Sequence, residues 1–374
     1  MDPWIERAAA EIAQRAVREI EALVGVSSPS GDARGAEECF AICAALAPDD
    51  AVVERVPCSS PEHAPDLIAR VRGDGAGRVL LLGHVDTVIG HERHRPVERA
   101  GEQLVGSGTL DMKGGVILAI GVLRALSERR DLFAELALLL VCDEEWRTQP
   151  FAHAARFAGY DACLCFEAGE RREQREAVVV RRKAAGTIRV RAHGRSAHSG
   201  SAPDDGRNAL LALAAAAQAV AAAHDPSGPA QLTAVPTMLD CGDAINVVPA
   251  YGELFCDARA DDLDAIEALL ARIPSELDGV RLERELIRRW PGLRAEAAAA
   301  PLLERAAALL DEPLAASARG GASDASHFAA TIPVTVDGLG PRGGLAHNPD
   351  EFVLEDSLLP RAQVALALAL AALA

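Results

Sequence analysis

A chain of 374 residues is longer than one hydrophobic core ordinarily supports, so two domains are expected. Its net charge of −17 excludes the basic stripe of a nucleic-acid-binding surface, while 49% hydrophobic and 25% charged residues are ordinary for a globular protein. The opening Met1-Asp2-Pro3-Trp4-Ile5-Glu6 has no basic segment leading into an apolar one, and the Leu/Ala-rich runs near 136–142 and 209–223 do not suit a membrane span. Eight scattered cysteines fit a reducing compartment, so the expectation is a cytoplasmic protein with neither membrane nor nucleic acid as partner. Cys39, Cys43, Cys163 and Cys165 lie in apolar contexts and read as buried thiols.

The first element is an amphipathic helix over 3–23, with Asp2 as its cap, Pro3 at its first position and Ile5, Ala9, Ile12, Ala16, Ile20 and Leu23 as its apolar stripe. A second helix is expected over 35–47 and strands near 51–57, 66–72 and 79–83, with Gly73-Asp74-Gly75 as a turn. The run Val79-Leu80-Leu81-Leu82-Gly83 has the continuous apolarity of a buried parallel strand and ends in His84-Val85-Asp86. Ligands in open α/β sheets bind beyond the carboxyl ends of strands, where an H-x-D suits a metal-binding imidazole steadied by a carboxylate. On its own the stretch equally reads as a strand and a polar loop. His91 and His94 fall in such a loop, 90–108, read as solvated.

Gly106-Ser107-Gly108-Thr109-Leu110-Asp111 then leads into an apolar helix over 115–128, where Asp111 is either a helix cap or a ligand. A buried strand over 135–142 ends in Asp143-Glu144-Glu145, and another over 162–166 ends in Glu167. Three strands thus deliver one His and several acids to what reads as one sheet edge. Carboxylates so crowded would repel without a cation, so the clustering predicts metal.

Near 178 the composition changes, and the segments 178–183 and 186–192 alternate as half-exposed antiparallel strands do. A helix over 206–224, strands near 231–239 and 250–259, a helix over 262–272 and a strand over 279–288 complete a β-α-β-β-α-β order, the ferredoxin-like motif. The expected organisation is a discontinuous α/β domain, 1–178 and 291–374, with an inserted α+β domain at 179–290. After the insertion, helices near 299–311 and 323–330, a strand at 333–337 and a terminal helix from 355 are expected. His347, in Ala346-His347-Asn348-Pro349, is a structural histidine or the second imidazole of a mixed site.

Taken together, G-H-V-D-T-V, G-x-L-D-M-K-G-G, D-E-E, F-E, G-R-S-A-H-S, I-N-V-V-P, G-G-A-S-D-A and A-H-N-P-D-E-F resemble the two-zinc peptidase family that includes glutamate carboxypeptidase, acetylornithine deacetylase, succinyl-diaminopimelate desuccinylase and aminoacylase. The motifs run in that family's order from about residue 20 to 355. The resemblance implies a zinc-peptidase domain with a mostly parallel sheet flanked by helices, and a ferredoxin-like lid and dimerisation domain. It implies two zinc ions per subunit, with cobalt or manganese as alternatives. His84 and Glu167 would bind one, Glu145 and His347 the other, and Asp111 would bridge them. Asp86 would orient His84, and Glu144 would be the general base. His198 would reach the active site of the second subunit of a homodimer and stabilise the oxyanion. Asn246 and Arg259 would recognise substrate, Arg259 by clamping a free carboxylate, although it also reads as an ordinary surface strand residue. Ser323 and Asp324 would line the pocket, with Arg289 as a looser candidate for side-chain recognition.

The implied activity is hydrolysis of the amide bond of an N-acyl amino acid or a short peptide with a free carboxylate. A deacylase acting on N-acyl or N-carbamoyl amino acids is the alternative, and a catalytically silent metal- or ligand-binding protein is the rival of another class. Where the family commonly has an apolar residue, Gly and Ser after D-E-E, this chain has Trp146-Arg147-Thr148. Trp146 either walls the pocket or covers the core.

Overall fold

The computed structural model describes every residue from Met1 to Ala374. The chain folds as two compact units: Met1–Arg181, Leu293–Ala318 and Ser323–Ala374 form the first, and Arg182–Gly292 with Arg319–Ala322 the second.

In the first unit, α1 (Pro3–Val24) begins at Asp2, whose Oδ1 accepts the Trp4 and Ile5 backbone N–H groups at 2.8 and 3.3 Å. There follow α2 (Ala33–Leu46), β1 (Val52–Val56), β2 (Asp66–Arg72), β3 (Gly77–His84), α3 (Gly114–Ser127), β4 (Phe133–Val141) and β5 (Ala162–Cys165). The sheet order is β1-β2-β4-β3-β5, closed by the short strand Thr335–Val336. β3 pairs parallel with both β4 and β5, and Thr335–Val336 pairs parallel with β5, while β1 and β2 are antiparallel additions at the other edge. The sheet is mostly parallel, and helices pack its central strands on both sides as periodicity predicts. Val79 to Leu82 and Leu136 to Val141 are buried to within 1% exposure, which explains their unbroken apolarity. Each such side chain contributes roughly 1.5–3 kcal/mol by leaving water.

Register brings three strand ends level. His84 lies opposite Val141 in β4, and Leu82 lies opposite Cys165 in β5. The ladder continues past the strands, with Val85 N–H donating to Val141 C=O at 2.9 Å and Phe166 N–H to Leu82 C=O at 3.0 Å. Gly115 lets α3 meet this edge, since a Cβ there would fall 1.8 Å from the Phe166 carbonyl oxygen. The helix Glu355–Leu373 is long and apolar enough to cross a membrane by length and composition, yet 61% of its apolar window is buried inside the protein, as for a core helix.

The second unit contains β6 (Ala184–His193), α4 (Ala209–Ala221), β7 (Thr233–Cys241), β8 (Tyr251–Ala260), α5 (Leu263–Arg272) and β9 (Val280–Trp290). Its antiparallel sheet has the order β7-β8-β6-β9, the ferredoxin-like arrangement, extended at the β9 edge by the short strand Glu276–Leu277, and its two helices bury Leu213, Val220, Ile266 and Leu269 against it. One reading of the sequence needs correction. The strand Arg175–Arg182 does not alternate: Ala177 to Val180 are all buried, and it pairs with Leu293–Arg294 and Ala315–Arg319 in a separate sheet.

Candidate metal centre

The carboxyl ends of β3, β4 and β5 supply His84, the Asp143-Glu144-Glu145 turn and Glu167, and the loop before α3 supplies Asp111. His347 arrives from a late loop with φ of +66°, a left-handed conformation uncommon for a side chain with Cβ and one that marks functional sites. Asp111 stands between the two imidazoles. Its Oδ1 lies 3.1 Å from His84 Nε2, and its Oδ2 lies 3.1 Å from His347 Nε2. Glu167 Oε1 is 3.7 Å from His84 Nε2, and Glu145 Oε2 is 3.4 Å from His347 Nε2. Two donor sets result, His84-Asp111-Glu167 and Asp111-Glu145-His347, each with its donor atoms within 4.8 Å of one another.

The electrostatics are those of a cation site. Burial alone would raise Asp111 and lower His84, but the imidazole–carboxylate bonds reverse both: Asp111 is held well below the carboxylate range and His84 well above the imidazole range. His347, bonded to Asp111 and Glu145, is raised to about 11. Glu144 is pushed up by burial, opposed by His84 and reinforced by the charges of Asp324, Glu145 and Glu167. Oε1 of Glu145 is buried without any hydrogen-bond partner. An acceptor left bare among carboxylates and imidazole nitrogens is what a divalent cation with His/carboxylate preference would satisfy, so these residues fit zinc.

One support does more than expected and another escapes expectation. The carboxylate of Asp86 lies 3.4 Å from His84 Nδ1, whereas the Asp86 main-chain oxygen is closer, at 3.0 Å. Its carboxylate helps to raise His84, and its oxygens also accept the backbone N–H groups of Glu144 and Glu145, at 3.2 and 3.1 Å. Asp86 therefore joins the end of β3 to the turn after β4. Glu351 is the support that sequence reasoning misses. It is buried, and it accepts the N–H groups of Gly108, Leu110 and Asp111 at 3.2, 2.6 and 2.7 Å, fixing the loop that carries Asp111. Burial and the nearby Asp111 raise its pKa to about 8. The only signal for it is its place beside His347 in A-H-N-P-D-E-F.

Ser323 and Asp324, expected to line the pocket, are buried and hydrogen-bonded within the protein. Ser323 is fully buried and its hydroxyl donates to Asp337. Asp324 is 3% exposed and is clamped by Arg147, which donates to it through Nη1 and through Nη2 (2.9 Å). Arg147 Nε and Nη2 also donate to Asp143 Oδ1, at 2.9 and 2.6 Å, and the guanidinium lies 4.8 Å over the Phe151 ring. Trp146 is 60% exposed and so covers no core. His91, expected in a solvated loop, is exposed and bonds Ser27 Oγ at 2.8 Å.

The remaining candidates lie in the second unit. His198 is exposed in a two-residue strand paired with Val247–Val248. Its Nδ1 accepts the N–H groups of Gly200 and Ser201 at 3.1 and 3.2 Å, which assigns the ring proton to Nε2. Asn246 is exposed and its carbonyl accepts the Ser199 N–H at 3.0 Å. Arg259, half-buried on β8, pairs with Asp257 two residues back, Nε to Oδ2 at 3.0 Å. Arg289 is exposed and pairs with Glu267 of α5.

Comparison with known proteins gives this geometry a family. Residues 80–371 match the model of peptidase family M20/M25/M40. Carboxypeptidase G2 of Pseudomonas sp. is 25% identical over 96% of this chain and 89% of its own length. Succinyl-diaminopimelate desuccinylase of Rhodospirillum centenum is 30% identical over 82% of this chain and 84% of its own. Among solved structures, a tripeptidase from Staphylococcus aureus superposes with a TM-score of 0.77 at 20% identity, covering 96% of this chain and 98% of that one. Human carnosine dipeptidase 1 gives 0.67 at 13% identity, over 99% of each chain. The chain belongs to the M20/M25/M40 peptidase family and is a metal-dependent hydrolytic enzyme.

Proposed function

We propose that this enzyme is a two-zinc amidohydrolase that cleaves the amide bond of an N-acyl amino acid or of a short peptide with a free carboxylate. The observation that carries the reading is Asp111, one oxygen toward His84 and the other toward His347, each at 3.1 Å. His84 and Glu167 would hold one ion, Glu145 and His347 the other, with Asp111 shared. Two zinc ions so held would polarise the scissile carbonyl and lower the pKa of the attacking water. Glu144 takes the water's proton on its carboxylate and passes it to the leaving amine nitrogen. Asp86 keeps Glu144 in place through its backbone N–H, 3.2 Å away. His198, its proton on Nε2, donates to the oxyanion, and Asn246 and Arg259 recognise the substrate's polar end, with Arg289 further out. For Arg259 this requires exchanging Asp257 for the substrate carboxylate.

A homodimer through the second unit supplies His198 from one subunit to the other. Supporting it, that unit exposes Val235, Met238 and Leu239 on edge strand β7, Leu211 on α4 and a fully exposed Ile245. The second reading, a deacylase of N-acyl amino acids, is favoured by the 30% identity to a desuccinylase. Zinc content per chain together with a screen of N-acyl amino acids, N-carbamoyl amino acids and C-terminal dipeptides tests both. Turnover that includes peptides selects the first, and turnover of acylated amino acids with none of peptides narrows it to the second. Two bound zincs with turnover of neither class would overturn the proposed substrate class.

A further inference from the structure

Beneath the turn that carries Glu144, a second group of metal-ligating side chains converges that the reaction above does not use. Cys58, Asp66 and Cys142 each offer one donor atom, and the three atoms lie within 4.8 Å of one another. Cys142 directly follows β4 and is 2% exposed, Asp66 opens β2 and is fully buried, and Cys58 is half-buried in the loop between β1 and β2. The carboxylate is already aimed. Its Oδ1 accepts the Cys142 backbone N–H at 3.1 Å, and its Oδ2 lies 2.8 Å from Nε2 of the fully buried His153. Hydrogen bonds of this kind, made by a neighbour that is not itself a ligand, hold a ligating carboxylate in one orientation. The His153 ring has no partner for its Nδ1, so Asp66 is what anchors it.

The donor set selects the cation. Two sulfurs and one oxygen suit zinc or its softer congeners, and do not suit magnesium or calcium, which take oxygen ligands. The bond to Cys58, burial and the charge of Asp66 keep the Cys142 thiol protonated, while for Cys58 the bond to Cys142 lowers the pKa and is outweighed by burial and Asp66. Binding a divalent cation therefore releases two protons and leaves two thiolates and one carboxylate around it. Three protein ligands leave a fourth position for water.

We propose that Cys58, Asp66 and Cys142 form a third metal site, for a thiophilic divalent cation such as zinc or cadmium, that ties the loop before β2 to the strand end bearing the catalytic glutamates. The site stands apart from the zinc pair of the proposed function, whose donors are imidazole and carboxylate only, and its signature is sulfur.

The test is a cadmium titration of the zinc-loaded full-length protein under reducing conditions, followed by the ultraviolet thiolate-to-cadmium charge-transfer absorption. One equivalent per chain should produce the band and raise Tm. Cys58→Ser should abolish both, and so should Cys142→Ser if it folds. Cys163→Ala, a buried thiol elsewhere, should leave both unchanged. Because Cys58 is only half-buried, its variant decides the matter if the other fails to fold. Absence of the band, or a band that survives Cys58→Ser, overturns the site. Neither outcome bears on hydrolysis, which the zinc pair's own stoichiometry and turnover test.

Discussion

Glu144 and Glu145 are neighbours with different surroundings. Glu145 faces His347 at 3.4 Å, while Glu144 is buried and pushed toward the neutral form. If Glu144 is the base, Glu144→Gln keeps its zinc and loses roughly 10²–10⁴-fold in kcat. Metal analysis beside steady-state kinetics checks this, and full turnover in the variant would remove Glu144 from the role. His198→Ala should cost about 10²–10³-fold in kcat, the scale of one oxyanion donor, with KM little changed. For Glu351→Gln the loss is of metal and not of chemistry. Its carboxylate accepts three N–H groups from the Asp111 loop, and an amide that turns its NH₂ toward any of them weakens the support. Zinc affinity should fall about 10–100-fold, measured by competition with a chelator.

At the scale of elements, Arg147 determines how the turn after β4 is held. It stands in the stretch that departs from the family pattern, and it bridges Asp143 beside the glutamates to Asp324, 177 residues later. Arg147→Met leaves two buried carboxylates without their cation and should cost about 3–5 kcal/mol in denaturant unfolding. The contribution of Asp143 to the pH dependence should change sign. Burial raises Asp143, but Arg147 overcomes it and holds the folded pKa below its ordinary 3.8. Its contribution is thus present above 3.8 and is lost as pH falls through the lower folded value. Without Arg147, burial raises the folded pKa above the unfolded one. The variant then loses stability more steeply than the parent as pH rises above the unfolded value. Unfolding curves across that range that run parallel for the two proteins would show that Arg147 does not set the charge state of Asp143.

For the whole molecule, the proposed sharing of active sites across a dimer makes a distinctive prediction. Mixing inactive Glu144→Gln and His198→Ala subunits after dissociation should restore roughly a quarter of wild-type activity, since half the dimers carry one intact site of two. No recovery in a mixture shown to exchange subunits would place His198 outside the partner's site.

The sequence alone carries the elements and the order of the site residues. Helical and strand periodicity are local properties, so α1, β3, β4 and β5 are legible from spacing, and acids at three strand ends are meaningful because parallel strands finish at one edge. The ordered motifs by themselves point to the family. What tertiary structure decided is which polar groups serve one another. Asp86, read as the partner of His84, also accepts the N–H groups of Glu144 and Glu145, because sheet order puts β4 beside β3. Ser323 is buried against Asp337, Glu351 carries the Asp111 loop, and Arg319–Ala322 joins the second unit far from it in sequence. The same holds for Cys58, Asp66 and Cys142, which no spacing links. Hydrogen bonds and ion pairs reach only about 3 Å, so a side chain's partner is fixed by packing between distant segments, which periodicity along the chain does not encode.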